Sequence, residues 1–197
     1  MSEQRLQQQI QFILEIDQLK QVFRQTLIAD GSRRENDAEH SWHLSVMAAL
    51  LVEYGPADVD LSRVIKMLLI HDVVEIDAGD TYCYDATAAL TQKAREIAAA
   101  DRIFALLPAD QAGEFRAIWE EFEERTTPEA RFAAALDRLQ PGLLNYHTQG
   151  RSWREHNISR SQVIERNAHI GAGAPRLWEY VLGIIDEATA KGWLRNI

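Results

Sequence analysis

The segment that decides the fold covers residues 64–80 and reads VIKMLLIHDVVEIDAGD. Its first half is apolar with few polar breaks, so we predict a helix over about 61–76 at the centre of the core. The pair His71-Asp72 follows directly, and a carboxylate buried there without a cationic partner would cost roughly several kcal/mol. Three more acids follow in the same segment: Glu75, Asp77 and Asp80. Carboxylates this dense repel each other, so the segment predicts a bound cation.

The rest of the chain contains few residues that would end a helix, such as proline and glycine, and its apolar residues recur at helical spacing. Further helices are predicted over about 6–23, 38–54, 91–107, 110–125, 129–139, 159–167 and 175–191, with polar loops at 30–36, 77–85 and 150–157. No segment alternates as a strand does, and no repeat or linker divides the chain. The sequence therefore predicts an all-α protein, a single globular bundle of about eight to ten helices over residues 1–197.

The composition of the chain argues against several classes of function. The chain has 197 residues, and its 30 acidic residues outnumber its 21 basic ones, which gives a formal net charge of −9. This excess argues against a nucleic-acid coat or a binder of anionic membranes. Cys83 is the one cysteine, so an intrachain disulfide is excluded. No apolar run is long enough for a signal-peptide core or a bilayer span, and we expect a cytoplasmic protein.

Two other helices carry residues that can join the His71-Asp72 pair. His40 lies at the start of one predicted helix, and Asp137 interrupts an apolar run in another. Two imidazoles and two carboxylates from three helices form a mixed nitrogen and oxygen set. Such a set suits a hard or borderline divalent cation with open coordination positions. Because the set contains no cysteine, it argues against a structural zinc site.

The motifs resemble those of the HD-domain superfamily of metal-dependent phosphohydrolases, and more closely the branch that holds the bacterial 5'-deoxynucleotidases. They are LKQVFR at 19–24, ENDAEHS at 35–41 and HDVVEIDAGD at 71–80, followed by Asp137. The spacing His-Asp-x-x-Glu followed by Gly-Asp is specific to that branch, whereas an isolated His-Asp pair is not specific. The resemblance covers roughly residues 20–154 and implies a helical bundle of the HD type.

The resemblance also implies a role for each matching residue. The implied metal ligands are His40, His71, Asp72 and Asp137. Glu75 would orient or deprotonate the attacking water, Asp80 would assist in the same pocket, and Arg24 would hold the phosphate. Deoxynucleotidases of this branch tend to carry an aromatic residue next to that arginine. This chain has Gln25 there, so a preference for deoxyribose is not implied.

Most of these residues also have a structural explanation. Asp137 could pair with Arg138, and Arg24 could lie on the surface. Glu75 could be a solvated acid at a helix end, and Asp80 could be a turn residue. The ordered set of motifs, rather than any single residue, favours the metal centre.

Other basic residues have a weaker sequence signal. Arg33 and Arg34 precede the helix of His40, and they are either phosphate contacts or solvated loop residues. His43 lies one helical turn after His40, and we interpret it as a supporting histidine rather than a second ligand. No role is predicted for three remaining histidines, which are His147, His156 and His169.

The sequence thus predicts a metal-dependent 5'-nucleotidase that releases phosphate from (deoxy)nucleoside 5'-monophosphates. Its cofactor is a divalent cation, with no choice made among Mn²⁺, Co²⁺, Mg²⁺, Fe²⁺, Ni²⁺ and Zn²⁺. Two alternatives stay open: a hydrolase of nucleoside di- or triphosphates or cyclic nucleotides, and a non-catalytic metal-binding module. Expected partners are a small phosphorylated substrate and, from the apolar content of the terminal helices, a second copy of the chain. Polymeric nucleic acid and membranes are not expected partners.

Overall fold

The computed structural model describes residues 3–197, most of which lie in helices packed around one central helix. The α-helices are α1 (Glu3–Ile16), α2 (Asp37–Leu51), α3 (Leu61–Ile70), α4 (Glu75–Ala78), α5 (Ala86–Phe104), α6 (Ala109–Glu124), α7 (Pro128–His147), α8 (Arg151–Glu155), α9 (Arg160–Asn167), α10 (Ile170–Gly173) and α11 (Pro175–Ala190). Short 3-10 helices cover Asp17–Gln21 and Val52–Tyr54, and strands β1 (Phe23–Leu27) and β2 (Arg34–Asn36) pair antiparallel. The predicted all-α fold class is confirmed. Met1 and Ser2, the first two residues of the predicted 1–197 domain, lie outside the described residues.

The core is centred on α7 rather than on the helix predicted over 61–76, because a continuous stretch of α7, residues 132–136, is apolar and fully buried. Thr127 caps its N-terminus by accepting a hydrogen bond from the amide of Ala130. Helices α2, α3, α6, α10 and α11 pack around it. Gly173 lets α10 approach closely, because a Cβ there would overlap the backbone carbonyl of Arg131. Residues on the inner face of α7 are therefore held rigidly.

The two-stranded sheet was not predicted. Its strands are short, and the two buried residues of β1 are Arg24 and Thr26, so the alternation buries polar side chains and lacks a hydrophobic signal. The predicted helix over 6–23 ends earlier, because a 3-10 turn and then β1 follow α1. The sheet has a consequence for the site: it brings Arg24 beside the N-terminus of α2.

The helix predicted over 61–76 ends at Ile70, where a turn separates α3 from α4. Asp60 caps α3 as its spacing suggests, with its side chain accepting from the amides of Ser62 and Arg63. At the other end, His71 bonds through its side chain to the carbonyl oxygen of Leu68, which competes with continuation of the helix. The turn directs His71 and the next residue into the centre of the molecule.

The C-terminal third differs from the sequence prediction in two places. Helix α7 continues past 139 through Pro141 and Gly142 to His147, since a proline inside a helix removes one hydrogen bond without necessarily ending it. The segment 150–157, predicted as a loop, contains α8, which is held by the buried side chain of Trp153. No helix among residues 3–197 has both the length and the apolar character needed to cross a bilayer.

Candidate metal centre

His71 and Asp72 are both buried at the turn that follows α3. The Nδ1 atom of His71 donates to the carbonyl oxygen of Leu68 at 2.9 Å, since a carbonyl can only accept. In the neutral ring, Nε2 is then unprotonated, and it faces Asp72 Oδ1 at 3.1 Å without a hydrogen-bond partner. Burial opposes protonation of the ring, but the carboxylates of Asp72 and Asp137 outweigh it and raise the pKa of His71 to about 10.

His40 presents the same arrangement from the first turns of α2. Its ring is fully buried, with Nδ1 3.2 Å from Gln140 Oε1 and Nε2 3.0 Å from Asp137 Oδ1. The amide nitrogen of Gln140 donates to Glu35, which turns the amide oxygen of Gln140 toward His40. The Nδ1 proton of His40 is therefore fixed by an acceptor. Its Nε2 atom points at a carboxylate, as in His71.

Local sequence fixes the start of α2. Asn36 accepts from the amide of Glu39, and the Glu39 side chain accepts from the amide of Asn36, which is a reciprocal capping box. This cap sets the position of His40, one residue after Glu39. On α7, Asp137 lies 3.7 Å from His71 Nε2 in addition to its contact with His40. Its other oxygen, Oδ2, lies 3.4 Å from Arg138 Nη2, so the pairing with Arg138 exists together with the contacts to both histidines.

These donor atoms fit a divalent cation. Atoms of His40, His71 and Asp72 lie within 4.8 Å of one another, and Asp137 borders both rings. If both rings are neutral with their protons on Nδ1, two imidazole lone pairs face carboxylate oxygens, and this arrangement is repulsive unless the rings are charged or a cation lies among the four groups. The raised pKa of His71 corresponds to the first case when no cation is bound. The unpartnered Nε2 of His71 also fits the second case, because the Nδ1 proton is already fixed in the tautomer that a metal-bound histidine takes.

A second group of acids lies beside the first. Ligand atoms of Asp37, Glu75 and Asp80 are within 4.8 Å of one another. Gly79, with φ 74°, ends α4 in a left-handed turn that leads into Asp80. Burial and the charge of Asp72 raise the pKa of Asp37 to about 7. Burial and the neighbouring carboxylates also raise the pKa of Glu75 well above its usual range, and Glu75 Oε2 is buried without a partner.

Arg24 links the two groups. Its Nη1 atom lies 3.0 Å from Asp37 Oδ1, 2.9 Å from Asp72 Oδ2 and 3.8 Å from Asp80 Oδ1. Burial opposes its charge, but these carboxylates hold the pKa of Arg24 well above its usual value. The structure therefore places Arg24 in the site rather than on the surface, where it offsets part of the negative charge.

The structure brings most of the predicted residues together and leaves two outside. A pocket at the centre is lined by His71, Asp72, Asp137, Glu75, Asp80, Arg24 and Gln25. Arg33 and Arg34 do not line it, since they are exposed on the other side of β2 and Arg33 pairs with Glu39 at 2.8 Å. Nearness to Asp137 in the chain predicts that Asn145, Arg151 or Trp153 lies near the substrate. Asn145 and Trp153 line the pocket, whereas Arg151 does not and pairs with Glu155 at 3.1 Å.

Three supporting residues were missed by the sequence analysis: Glu35, Asp37 and Gln140. Asp37 and Glu35 lie within a matched motif. Because both are polar, the spacing of apolar residues could not predict that they are buried. Gln140 follows Asp137 by three residues and so faces the same side of α7, which is the signal that could have found it. It also lies 3.2 Å from the Nδ1 atom of His43, which places His43 behind the ligands.

A family model described as HD domain matches residues 16–178 of the chain. Among curated proteins, a 5'-deoxynucleotidase HDDC2 of Xenopus laevis is 31% identical over 132 residues, which are 66% of this chain and 64% of that protein. The Danio rerio protein of the same name is 29% identical over 187 residues, which are 85% of this chain and 92% of the relative. The chain thus spans slightly less than two thirds of the Xenopus protein.

Solved structures agree with the fold. A protein from Magnetospirillum magnetotacticum, named a predicted metal-dependent phosphohydrolase, is 52% identical and superposes with a TM-score of 0.94, covering 98% of this chain and 96% of its own. A conserved hypothetical protein from Pyrococcus furiosus is 21% identical with a TM-score of 0.61, covering 92% of this chain and 99% of its own. The second likeness shows the fold alone.

Proposed function

This chain belongs to the HD-domain family, and we propose that it is a metal-dependent phosphomonoesterase that releases phosphate from (deoxy)nucleoside 5'-monophosphates. One observation carries the proposal: the Nε2 atoms of His40 and His71 face the carboxylates of Asp137 and Asp72 with their Nδ1 protons fixed elsewhere. The names of the relatives from Xenopus laevis and Danio rerio support a nucleotide substrate.

The proposed metal ligands are His40, His71, Asp72 and Asp137. The family implies a divalent cation, which when bound activates water as a nucleophile near neutral pH and neutralises charge on phosphoryl oxygens. Side chains of the protein handle the proton and orient the water. Glu75, with its unpartnered Oε2, would accept the proton of the attacking water, and Asp80 would orient that water from the same group of acids.

Arg24 has a double task in this proposal. Its Nη1 atom is occupied by Asp37 and Asp72, which holds the acids in place. Its Nη2 atom forms no hydrogen bond to any residue in 3–197 and remains available to a phosphoryl oxygen at the pocket. Gln25 lines the same pocket where related deoxynucleotidases tend to carry an aromatic side chain, so we propose no strict selection of deoxyribose over ribose.

The test is phosphate release by purified protein on a panel of ribo- and deoxyribonucleotides, with Mn²⁺, Co²⁺ or Mg²⁺ added after chelation. Inorganic phosphate from monophosphates supports the proposal. Pyrophosphate or triphosphate as the product would instead identify a hydrolase of longer nucleotides. Bound metal and a higher melting temperature without any turnover would identify a non-catalytic module.

We also propose that the protein forms a homodimer through the outer face of α2. Four large apolar side chains repeat at every fourth position along α2 and the 3-10 helix that follows it, and all are exposed: Trp42 65%, Val46 41% and Leu50 69% on α2, and Tyr54 39% in the 3-10 helix. Uncharged faces of this kind are characteristic of interfaces. The stripe of Phe115, Trp119 and Phe122 on α6, which its helical spacing predicts to be core or dimer surface, lies mostly in the core, since Trp119 and Phe122 are buried.

Charge favours a second copy of this chain as the occupant of that face. Arg34 lies before the N-terminal end of the apolar stripe and Glu53 near its C-terminal end, both exposed and without an ion pair among residues 3–197. A two-fold axis near Val46 would run the two α2 helices antiparallel, which places Arg34 of each copy toward the acidic end of the other. The stripe is thus complementary to itself.

Two further expectations remain proposals. We propose that one domain over residues 1–197 carries the function, supported by the family match over residues 16–178. We propose a cytosolic location, supported by the single cysteine, Cys83, which fits a compartment that keeps thiols reduced.

A further inference from the structure

Three arginines to which the sequence analysis gave no role in the site lie along one wall of the pocket. Arg125 follows α6, Arg138 lies on α7 and Arg166 lies on α9, and all three line the same pocket as His71 and Asp72. Three arginine side chains from separate parts of the chain thus line one pocket. In a chain with net charge −9, a local concentration of positive charge of this kind is the exception rather than the rule.

Arg125 and Arg138 are half-buried and Arg166 is exposed, and these guanidinium groups have few carboxylate partners. Arg125 and Arg166 form no side-chain hydrogen bond and no ion pair within 4.0 Å to any described residue, Glu123 on the same wall included. Arg138 has one ion pair, to Asp137 Oδ2 at 3.4 Å. The Nε atoms of Arg125 and Arg138 are buried without a partner. Because a buried donor without an acceptor is costly, the Nε atoms of Arg125 and Arg138 leave hydrogen-bonding capacity on this wall unused.

The cations also repel one another. Burial, and after it the neighbouring charge of Arg138, lowers the pKa of Arg125 from its usual value. His169 lies near the same arginines, and burial followed by the charges of Arg125 and Arg138 lowers its pKa to about 4. The surroundings therefore disfavour every additional positive charge, and they favour an anion.

The backbone at Arg125 is strained as well. Arg125 has φ 53° and ψ 33°, a left-handed conformation in which glycine is the usual residue at the end of a helix. Arg131 stabilises the turn by donating hydrogen bonds to the carbonyl oxygens of Arg125 and Thr126. An arginine kept in a strained position at a pocket wall is evidence that its side chain has a task there.

We propose that Arg125, Arg138 and Arg166 bind the phosphoryl group of the substrate in the pocket that they line together with His71 and Asp72, an assignment that rests on the function proposed above. A phosphate dianion matches the fork of a guanidinium, which can donate two parallel hydrogen bonds to it. Arg138 is adjacent to Asp137 and would contact the oxygens nearest the metal centre. Arg125 and Arg166 would contact the outer oxygens.

The experiment is calorimetric titration of the chelated, metal-free protein with inorganic phosphate. Arg125→Gly removes the guanidinium and relieves the left-handed backbone, so its melting temperature should not fall. Each of Arg125→Gly and Arg166→Ala should weaken phosphate binding about tenfold or more, as expected for the loss of charge-assisted hydrogen bonds. Arg176→Ala removes the same charge from a side chain that is 77% exposed and outside the pocket, and should leave binding unchanged.

Phosphate affinities that are equal in wild type and in both pocket variants would overturn the assignment, and so would a wild-type protein that binds no phosphate. The titration contains no metal and no turnover, so it is independent of the proposed activity. With nucleotide substrate and metal, Arg166→Ala should raise KM more than it lowers kcat. A phosphate site that depends on these arginines in a protein without turnover would reject the proposed activity and keep the binding site.

Discussion

The imidazole of His71 and the carboxylate of Asp72 face each other at 3.1 Å, Nε2 to Oδ1, while the only proton of the neutral ring is held by the carbonyl oxygen of Leu68. Adjacent residues in a helix point in different directions, so this approach requires the turn that ends α3 at Ile70. The local backbone thus brings the two side chains together. They form half of the proposed ligand set on which the proposed function depends.

Asp72→Ala should abolish metal binding and activity together, since it removes one of two carboxylates from the proposed ligand set. Metal content of the purified variant, measured by elemental analysis, should fall to the background of the chelated wild type. Asp58→Ala, at an exposed acid outside the site, is the matched control and should retain the wild-type metal content. Full metal occupancy in Asp72→Ala would show that the ligand assignment is wrong.

Gln140→Ala should weaken metal binding about 10- to 100-fold without unfolding the protein, because Gln140 orients His40 and fixes its Nδ1 proton. The dissociation constant for Mn²⁺, obtained by competition with a chelator, measures this effect. Gln4→Ala, on the exposed face of α1, should change nothing. An unchanged affinity in Gln140→Ala would mean that the hydrogen bond seen here does not orient the ligand.

Arg24→Ala should lower the free energy of unfolding of the metal-free protein by about 3–5 kcal/mol, because it leaves Asp37 and Asp72 buried and unpaired. Urea denaturation monitored by circular dichroism measures the loss. Arg154→Ala, at an exposed arginine without an ion pair in the described chain, should stay within about 0.5 kcal/mol of wild type. A similar, small effect in both variants would place Arg24 outside the charge network described above.

Trp42→Glu should convert the proposed dimer to a monomer, since it buries a charge within an apolar interface. Light scattering coupled to size exclusion gives the mass directly. Tyr180→Glu, at an aromatic residue of α11 that is 58% exposed, is the control and should leave the mass unchanged. Arg34→Glu should weaken the dimer and Glu53→Arg in the same chain should restore it. A wild-type protein that is monomeric at all concentrations would contradict the proposed interface.

Sequence reasoning predicted the helical fold because the apolar spacing of long helices such as α1 and α11 is regular over many residues. It did not predict β1, where the buried side chains are an arginine and a threonine, or the break at His71, where a side chain competes for a backbone carbonyl. Tertiary contacts decide the burial in β1, and a hydrogen bond to a residue three positions earlier decides the break at His71. The spacing of apolar residues indicates neither feature.

The candidate site was likewise predicted only in part from the sequence. The motif residues were found because their order along the chain is distinctive, and the structure brings His40, His71 and Asp72 within 4.8 Å. The supporting shell was not found, since Gln140 and Asp37 are polar residues whose burial depends on elements far away in the chain. Arg125 gave no signal either, because a left-handed backbone at an arginine is visible only in three dimensions.

The most direct test of the central claim is phosphate release from nucleoside 5'-monophosphates by the chelated protein before and after addition of a divalent cation. We expect no turnover without metal, turnover with at least one of Mn²⁺, Co²⁺ and Mg²⁺, and inorganic phosphate and the nucleoside as the products. Absence of phosphate release with every cation, in protein that binds metal in a stoichiometric amount, would contradict the claim. So would equal turnover in the presence and absence of metal.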